Sequence, residues 1–246
     1  MPLISGHRPI DKSSEYEAAE RVLEDRLLPH LDQPSVCLLA IEIHRRLAFV
    51  YLDRVVAKQP NSVPAMMLLA KSHAAARRDK EALEEYREAL KAAPTQLGIH
   101  LGIGQIYENE LHWTDAIEEF KKEVDLDPAN AMALAHLGHA LTEAREPVEA
   151  IPVLEKLLNT NSTDGAAYAD LGKDWEGEGE TEKAIAAYER AMVYDPTRVN
   201  LHYKLFQLYR KLGKNDRAQK ELAAFKVAEA QKHKSYQQGM AEKRTD

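Results

Sequence analysis

The stretch GAAYADLGKDWEGEGETEKAIAAYERAMVYDPTR, residues 165–198, decides the reading of this chain, because three copies of its 34-residue pattern precede it without insertion or deletion. Aligned from Val63, Leu97, Ala131 and Gly165, the copies share a small residue at Ala82, Ala116, Ala150 and Ala184, a column that Ala218 continues. An apolar column runs through Leu69, Ile103, Leu137, Leu171 and Leu205. It is followed by a small residue at Ala70, Gly104, Gly138 and Gly172, with Phe206 as the exception. A bulky column runs through Tyr86, Phe120, Leu154, Tyr188 and Leu222, and copies close on Pro94, Pro128 and Pro196, with Ser162 in the third. Self-similarity at such a period is the signature of a stacked-repeat architecture.

Within the fourth copy, Leu171, Trp175, Ala184, Ile185 and Tyr188 follow the three-and-four spacing of helices, split by the Gly177 to Gly179 turn, so each copy reads as a helical hairpin. Small residues at fixed positions let two helix backbones approach, and the bulky column fills the space between successive hairpins. One hairpin alone cannot bury its apolar face; stacking does. Turns are expected near Arg77 to Asp79, Glu110 to Thr114, Ala144 to Pro147 and Gly177 to Thr181.

A large residue, then Leu-Gly, then Tyr or Trp, then Ala-x3-aromatic and Pro, as in Tyr168, Leu171, Gly172, Trp175, Ala184, Tyr188 and Pro196, resembles the tetratricopeptide repeat (TPR), in the manner of a bacterial-type TPR scaffold. The resemblance covers roughly residues 63 to 230 and implies an all-α fold, an α-solenoid in which hairpins wind into a right-handed superhelix and their first helices line a concave groove.

Around this array the expected organisation is a disordered N-terminus (1–12), N-terminal capping helices or a degenerate repeat (13–62), four tetratricopeptide repeats (63–198), a degenerate fifth repeat (199–232), and a polar capping helix end with a frayed tail (233–246). A helix is expected from Ser13 or Ser14 to about Leu28, and one long helix from Ser35 to Lys58, which holds no Gly or Pro. Pro152, five residues into its helix, should loosen that helix locally.

The 246 residues are 44% apolar and 30% charged, which is ordinary for a soluble protein and leaves no room for a separate catalytic domain. The net charge of -7 is uneven: residues 1–209 carry net -12 and residues 210–246 net +5. An acidic body repels phosphate backbones, so no nucleic acid is expected as a partner. Cys37, the only cysteine, lies among Val36, Leu38 and Leu39 and is expected to be buried packing. No run has signal-peptide or membrane-span character, so no membrane insertion is expected. The location read from the chain is cytoplasmic, or periplasmic if the natural N-terminus lies upstream.

No phosphate-binding loop, nucleophile elbow, zincin motif or zinc-finger spacing occurs, so no catalytic residue, cofactor or metal is expected. The sharpest enzymatic hint is His136 with His139 and a third ligand such as His100 or Asp170, but the repeat phase puts the two histidines on differing parts of their helix. The acidic run Glu176 to Glu182 lacks the alternating ligands of a calcium loop and reads as a solvated turn.

What the pattern does present is a peptide-binding groove. The second, fifth, ninth and twelfth residues of each first helix share one face, which is expected to be exposed and concave. They are Met67 and Lys71; Leu101, Gln105 and Glu108; Met132, His139 and Thr142; Lys173 and Glu176; and Tyr203, Gln207 and Arg210. The row Lys71, Gln105, His139, Lys173 and Gln207 contains no acid, which suits backbone carbonyls or an acidic segment, with Leu101, Met132 and Tyr203 as apolar anchors. Two precedents within the resembled family do not transfer. The clamp for a C-terminal carboxylate meets Leu101, Gln105, His136, Lys173 and Gly177 here, and the asparagine ladder meets Leu68, Gly102, His136, Asp170 and Lys204. The reading is a non-enzymatic protein–protein interaction scaffold or adaptor for a peptide or helical segment of another protein. The alternatives are an accessory or regulatory repeat segment of an enzyme and a self-assembling structural repeat protein, for which self-association would run through the terminal repeats.

Overall fold

The computed structural model describes residues 58–242, with side chains through 232, together with residues 21, 36–40 and 43. Most of the two helices expected before Pro60 lies outside the described residues; 36–40 are helical, and Cys37 is half-buried where full burial was expected. Among the described residues the fold is all-α, without a strand. Its helices are α1 (Val63–Ala75), α2 (Asp79–Ala92), α3 (Ile99–Asn109), α4 (Trp113–Leu126), α5 (Ala131–Glu143), α6 (Pro147–Thr160), α7 (Gly165–Gly177), α8 (Thr181–Tyr194), α9 (Asn200–Lys211) and α10 (Asn215–Glu242).

The chain forms two compact units, Met1–Ala93 and Pro94–Asp246. In the first, α1 packs on α2, and Ala65, Ala70, Ala82, Tyr86 and Ala89 are buried, while Leu69 is only half-buried. In the second, α3 with α4, α5 with α6, α7 with α8 and α9 with α10 are hairpins stacked in chain order, so the unit is an α-solenoid.

The repeated columns explain this packing. Ala116, Ala150, Ala184 and Ala218 are all fully buried at helix contacts. A Cβ added to Gly138 would lie 2.5 Å from Leu154 Cδ2, and one added to Gly172 would lie 2.6 Å from the Tyr188 ring. The small and bulky columns therefore form one close contact inside each hairpin. Every hairpin turn places one residue in the left-handed region at the same 34-residue spacing: Arg77, Leu111, Arg145, Gly179 and Gly213. This residue closes the preceding helix, because its left-handed backbone turns the following N–H groups onto the last carbonyls; Glu146 N, for example, donates to Leu141 O over 2.9 Å.

Two local expectations fail. Helix α6 runs unbroken through Pro152: the carbonyl that loses its donor belongs to Val148, in the exposed first turn, where water can satisfy it. Helix α10 continues through Gly239 to Glu242, where fraying was expected, and 243–246 lie outside the described residues.

Candidate functional site: the face of the first helices

In the second unit the first helices α3, α5 and α7 lie side by side, and polar side chains bridge each gap. Across α3 and α5, the His136 Nδ1 lies 2.7 Å from Glu108 Oε2, and its Nε2 lies 3.0 Å from Gln105 Nε2, which donates to it. Across α5 and α7, His139 Nδ1 lies 2.9 Å from Asp170 Oδ2, and Lys173 Nζ donates to Glu143 Oε1 over 2.8 Å. The hydrogen bond that His139 donates to Asp170 holds His139 above the ordinary histidine range against the opposing effect of burial. Helix α9 approaches α7 less closely than α5 does, and Lys204 spans the gap, donating to Glu176 Oε2 over 3.0 Å. Glu176 also accepts from the Tyr188 hydroxyl, whose pKa burial pushes up.

These contacts alter the groove read from sequence. Thr142, expected to be exposed, is 1% exposed, because α7 packs over the end of α5 and sets Asp174 Oδ2 2.8 Å from the Thr142 hydroxyl. The donor row is also largely engaged: Gln105, His139 and Lys173 already face Glu108, Asp170 and Glu143 or their partners, so an acidic ligand would have to displace carboxylates already present. Gln105, Glu108, His139 and Glu176 are half-buried, whereas Lys173, Gln207 and Arg210 are exposed. Leu101 is half-buried against the core. Met132 and Tyr203 are 57% and 42% exposed and remain open apolar anchors. Tyr203 is steadied by Phe206 and Phe225, and the Arg210 guanidinium lies 5.6 Å from the Phe206 ring centre. Met67, half-buried, and Lys71, exposed, belong to the first unit.

The two histidines of the metal hint point to opposite neighbours, His136 back to α3 and His139 forward to α7, and His100 is held by Glu119 at 2.6 Å. Among the described residues no three metal-ligating side chains converge. Trp175 is part-buried in the packing, with Lys183 Nζ 4.1 Å from its ring centre, and Trp113 meets His139 edge-on.

Sequence reasoning missed Glu143 and Asp174. Where α5, α7 and α9 end or cross, a depression of about 460 Å³ is lined by Thr142, Arg145, Lys173, Asp174, Glu176 and Lys204, among others. Asp174 is 3% exposed, and burial pushes its pKa up to about 6, with the Thr142 hydrogen bond pulling the other way. The Thr142 hydroxyl also lies 3.0 Å from the Gly138 carbonyl oxygen, and its one hydrogen serves one of the two acceptors at a time. An ionised Asp174 takes that hydrogen; a protonated Asp174 donates to Thr142, which then donates to Gly138. The visible signal for Asp174 is an acid at a position that is Ile106 or Ala140 in neighbouring copies, on the buried side of the first helix.

Comparison with known proteins agrees with this geometry. Models described as tetratricopeptide repeat match residues 50–96 and 101–168, and 177–242. A crystal structure of MamA is 30% identical, with a TM-score of 0.63 over 67% of this chain and 96% of that one. YrrB, titled a TPR protein with an unusual peptide-binding site, has a TM-score of 0.65 at 19% identity over 72% of this chain and 91% of that one, a likeness of fold. Mouse tetratricopeptide repeat protein 21B is 32% identical over 111 residues, 41% of this chain. The probable UDP-N-acetylglucosamine–peptide N-acetylglucosaminyltransferase SPINDLY of Hordeum vulgare is 27% identical over 124 residues, 48% of this chain. The matches span 8% and 13% of those two relatives, so what the remainder of each does stays with that protein. Among the described residues no helix is long and apolar enough to cross a membrane. The in-register columns, the stacked hairpins and the family matches along most of its length place this chain in the tetratricopeptide repeat family.

Proposed function

We propose that this protein is a non-enzymatic scaffold that holds an extended or helical segment of a partner protein along the face formed by α3, α5, α7 and α9. The observation that carries this reading is the pairing of two exposed apolar side chains, Met132 and Tyr203, with a polar floor whose charges largely satisfy one another. A floor knitted together in this way loses little freedom when a ligand lands on it, and apolar anchors supply the larger share of interface energy. Exposed ion pairs contribute only about 0.2 to 1 kcal/mol each, so the charged rows tune association rate and choice of partner more than affinity.

The test uses a partner captured by the full chain and then purified. Its affinity is measured by titration calorimetry against wild type and against a folded Met132→Ser, Tyr203→Ser double variant. A loss of tenfold or more, roughly 1.4 kcal/mol, is expected. Unchanged affinity would place binding on the second-helix face or on the basic tail. If the captured partner is a second copy of the chain, sedimentation at several concentrations shows it, and the structural alternative replaces the adaptor reading.

A further inference from the structure

We propose that the depression between the ends of α5 and α7 and the side of α9 is a socket for a lysine or arginine side chain of the bound segment, with Asp174 Oδ1 as its acceptor. The inference rests on the partner-segment reading above and names the chemistry that one point of the face would select.

Asp174 is 3% exposed, and its only hydrogen bond among the described residues is the one Oδ2 shares with Thr142; Oδ1 has none and is the oxygen left to face the cavity. The Lys173 charge acts on Asp174 only from a distance, and a buried carboxylate with one neutral hydrogen-bond partner and no ion pair is costly, a cost that an incoming cation relieves. The backbone acts in the same direction. Thr142 lies in the last turn of α5, and Asp174 and Gly177 in that of α7, so the negative ends of two helices border the cavity against the one positive end that α6 brings at Pro147, and neither last turn carries a basic residue.

The cations already present do not fill this role. Lys173 is drawn to Glu143 at 2.8 Å and Lys204 to Glu176 at 3.0 Å, so each is neutralised by a carboxylate other than Asp174. Arg145 is the remaining lining cation. It is exposed, has no ion pair among the described residues, and occupies the left-handed position of the turn between α5 and α6. With Lys173 and Lys204 paired to Glu143 and Glu176 and Arg145 exposed, the buried charge in the lining that has no ion pair is the negative one on Asp174. An anionic ligand would meet that carboxylate and two helix C-termini; a cationic one meets the charge it lacks.

Isotope-labelled full-length protein is titrated with N-acetyl-arginine methylamide, and with its uncharged isostere N-acetyl-citrulline methylamide and the acidic N-acetyl-glutamate methylamide as separate arms. Saturable shifts of the Thr142, Asp174 and Gly177 amides with the arginine probe alone are expected. They should disappear in Asp174→Asn and strengthen in Arg145→Ala. The wild type supplies a second readout that does not depend on a variant folding. On lowering the pH from about 7.5 to about 5, binding should weaken as Asp174 takes a proton. His139, beside Asp170 on the neighbouring contact, charges over part of the same range and also opposes a cation, so the Asp174→Asn titration is run at both pH values to separate them. Glu143 and Glu176, bound to Lys173 and Lys204, complete the set of charges around the socket. Equal shifts with the citrulline probe, a preference for the glutamate probe, or arginine shifts that persist in Asp174→Asn would overturn the proposal. The broader reading fails separately: it falls if the Met132→Ser, Tyr203→Ser variant keeps full affinity for the partner or if the captured partner is a second copy of the chain.

Discussion

The carboxylate of Glu123, on α4, accepts a 2.7 Å hydrogen bond from the backbone N–H of Gly98 and a 3.2 Å bond from that of Leu101, and so caps α3 from 25 residues downstream. Ser62, Asn130 and Asp164 occupy one column and cap α1, α5 and α7 with their own side chains. In α3 that column holds Gln96, whose side chain makes no cap, and the helix begins after a left-handed Gly98. The position that is Ala89, Leu157 or Ala191 in the other copies is then Glu123, fully buried. A carboxylate at a helix N-terminus meets unpaired N–H groups and the positive end of the dipole.

Glu123→Ala should therefore destabilise the second unit by about 1 to 3 kcal/mol, since two N–H groups lose a buried partner. Glu123→Gln keeps one acceptor and should lose less. Urea unfolding followed by circular dichroism checks the order; equal stability of Glu123→Ala and wild type would mean that water caps α3 as well as the carboxylate does.

Gly138→Ala should destabilise by about 1 to 3 kcal/mol, because the new methyl would stand 2.5 Å from Leu154 Cδ2 in a fully packed hairpin. The double variant Gly138→Ala, Leu154→Ala should recover part of that loss if the clash is its cause, which a double-mutant cycle in urea measures.

At Leu111 the left-handed backbone, φ 60°, carries a 66% exposed leucine. Leu111→Gly should raise stability by up to about 1 kcal/mol, as glycine tolerates this conformation and the leucine packs little. Gly179→Ala at the equivalent turn should lower it by a similar amount. Thermal unfolding should show opposite shifts for the two.

Stability should fall as pH rises from about 4 to about 7. The folded-state pKa of Asp174 is raised to about 6, so the native state binds the extra proton between the ordinary carboxylate pKa and about 6, and the contribution fades as that proton leaves. The limit is about 3 kcal/mol, for a difference of about two pKa units. His139, also raised, contributes fully below the ordinary histidine range and loses its contribution as pH climbs through its folded value. Asp174→Asn should flatten the lower part of the profile and be the more stable protein at pH above 7, as urea midpoints across pH would show.

Replacing Lys173 should alter mainly the salt dependence of binding by the first-helix face of the second unit, because Lys173 is exposed and already paired with Glu143. Leu101→Ala is a poorer probe than Tyr203→Ser, since Leu101 packs against the core and its loss would also cost stability. Calorimetry at two salt concentrations, beside a melting curve for each variant, distinguishes the cases.

Periodicity alone determined the all-α hairpin architecture, the turn positions and the buried alanine column. A spacing of 34 residues with small and bulky columns admits one way of covering each apolar face, and these contacts lie within a hairpin or between chain neighbours. Exposure was legible in part within one helix, as at Met132 and Tyr203. The tertiary structure alone decided which side chains of the first helices are paired or buried and which stay open. Thr142, Lys173, His139 and Glu123 each owe their state to a group 25 or more residues away, on a helix whose offset and tilt no single-helix pattern encodes. An offset of one turn, about 5 Å, would exchange which acid meets which base, and the close approach of side chains from adjoining helices sets that offset. Two members of the acid-free row read along the helices, His139 and Lys173, meet carboxylates once α5 and α7 pack, and the buried charge at Asp174 emerges from the same contact.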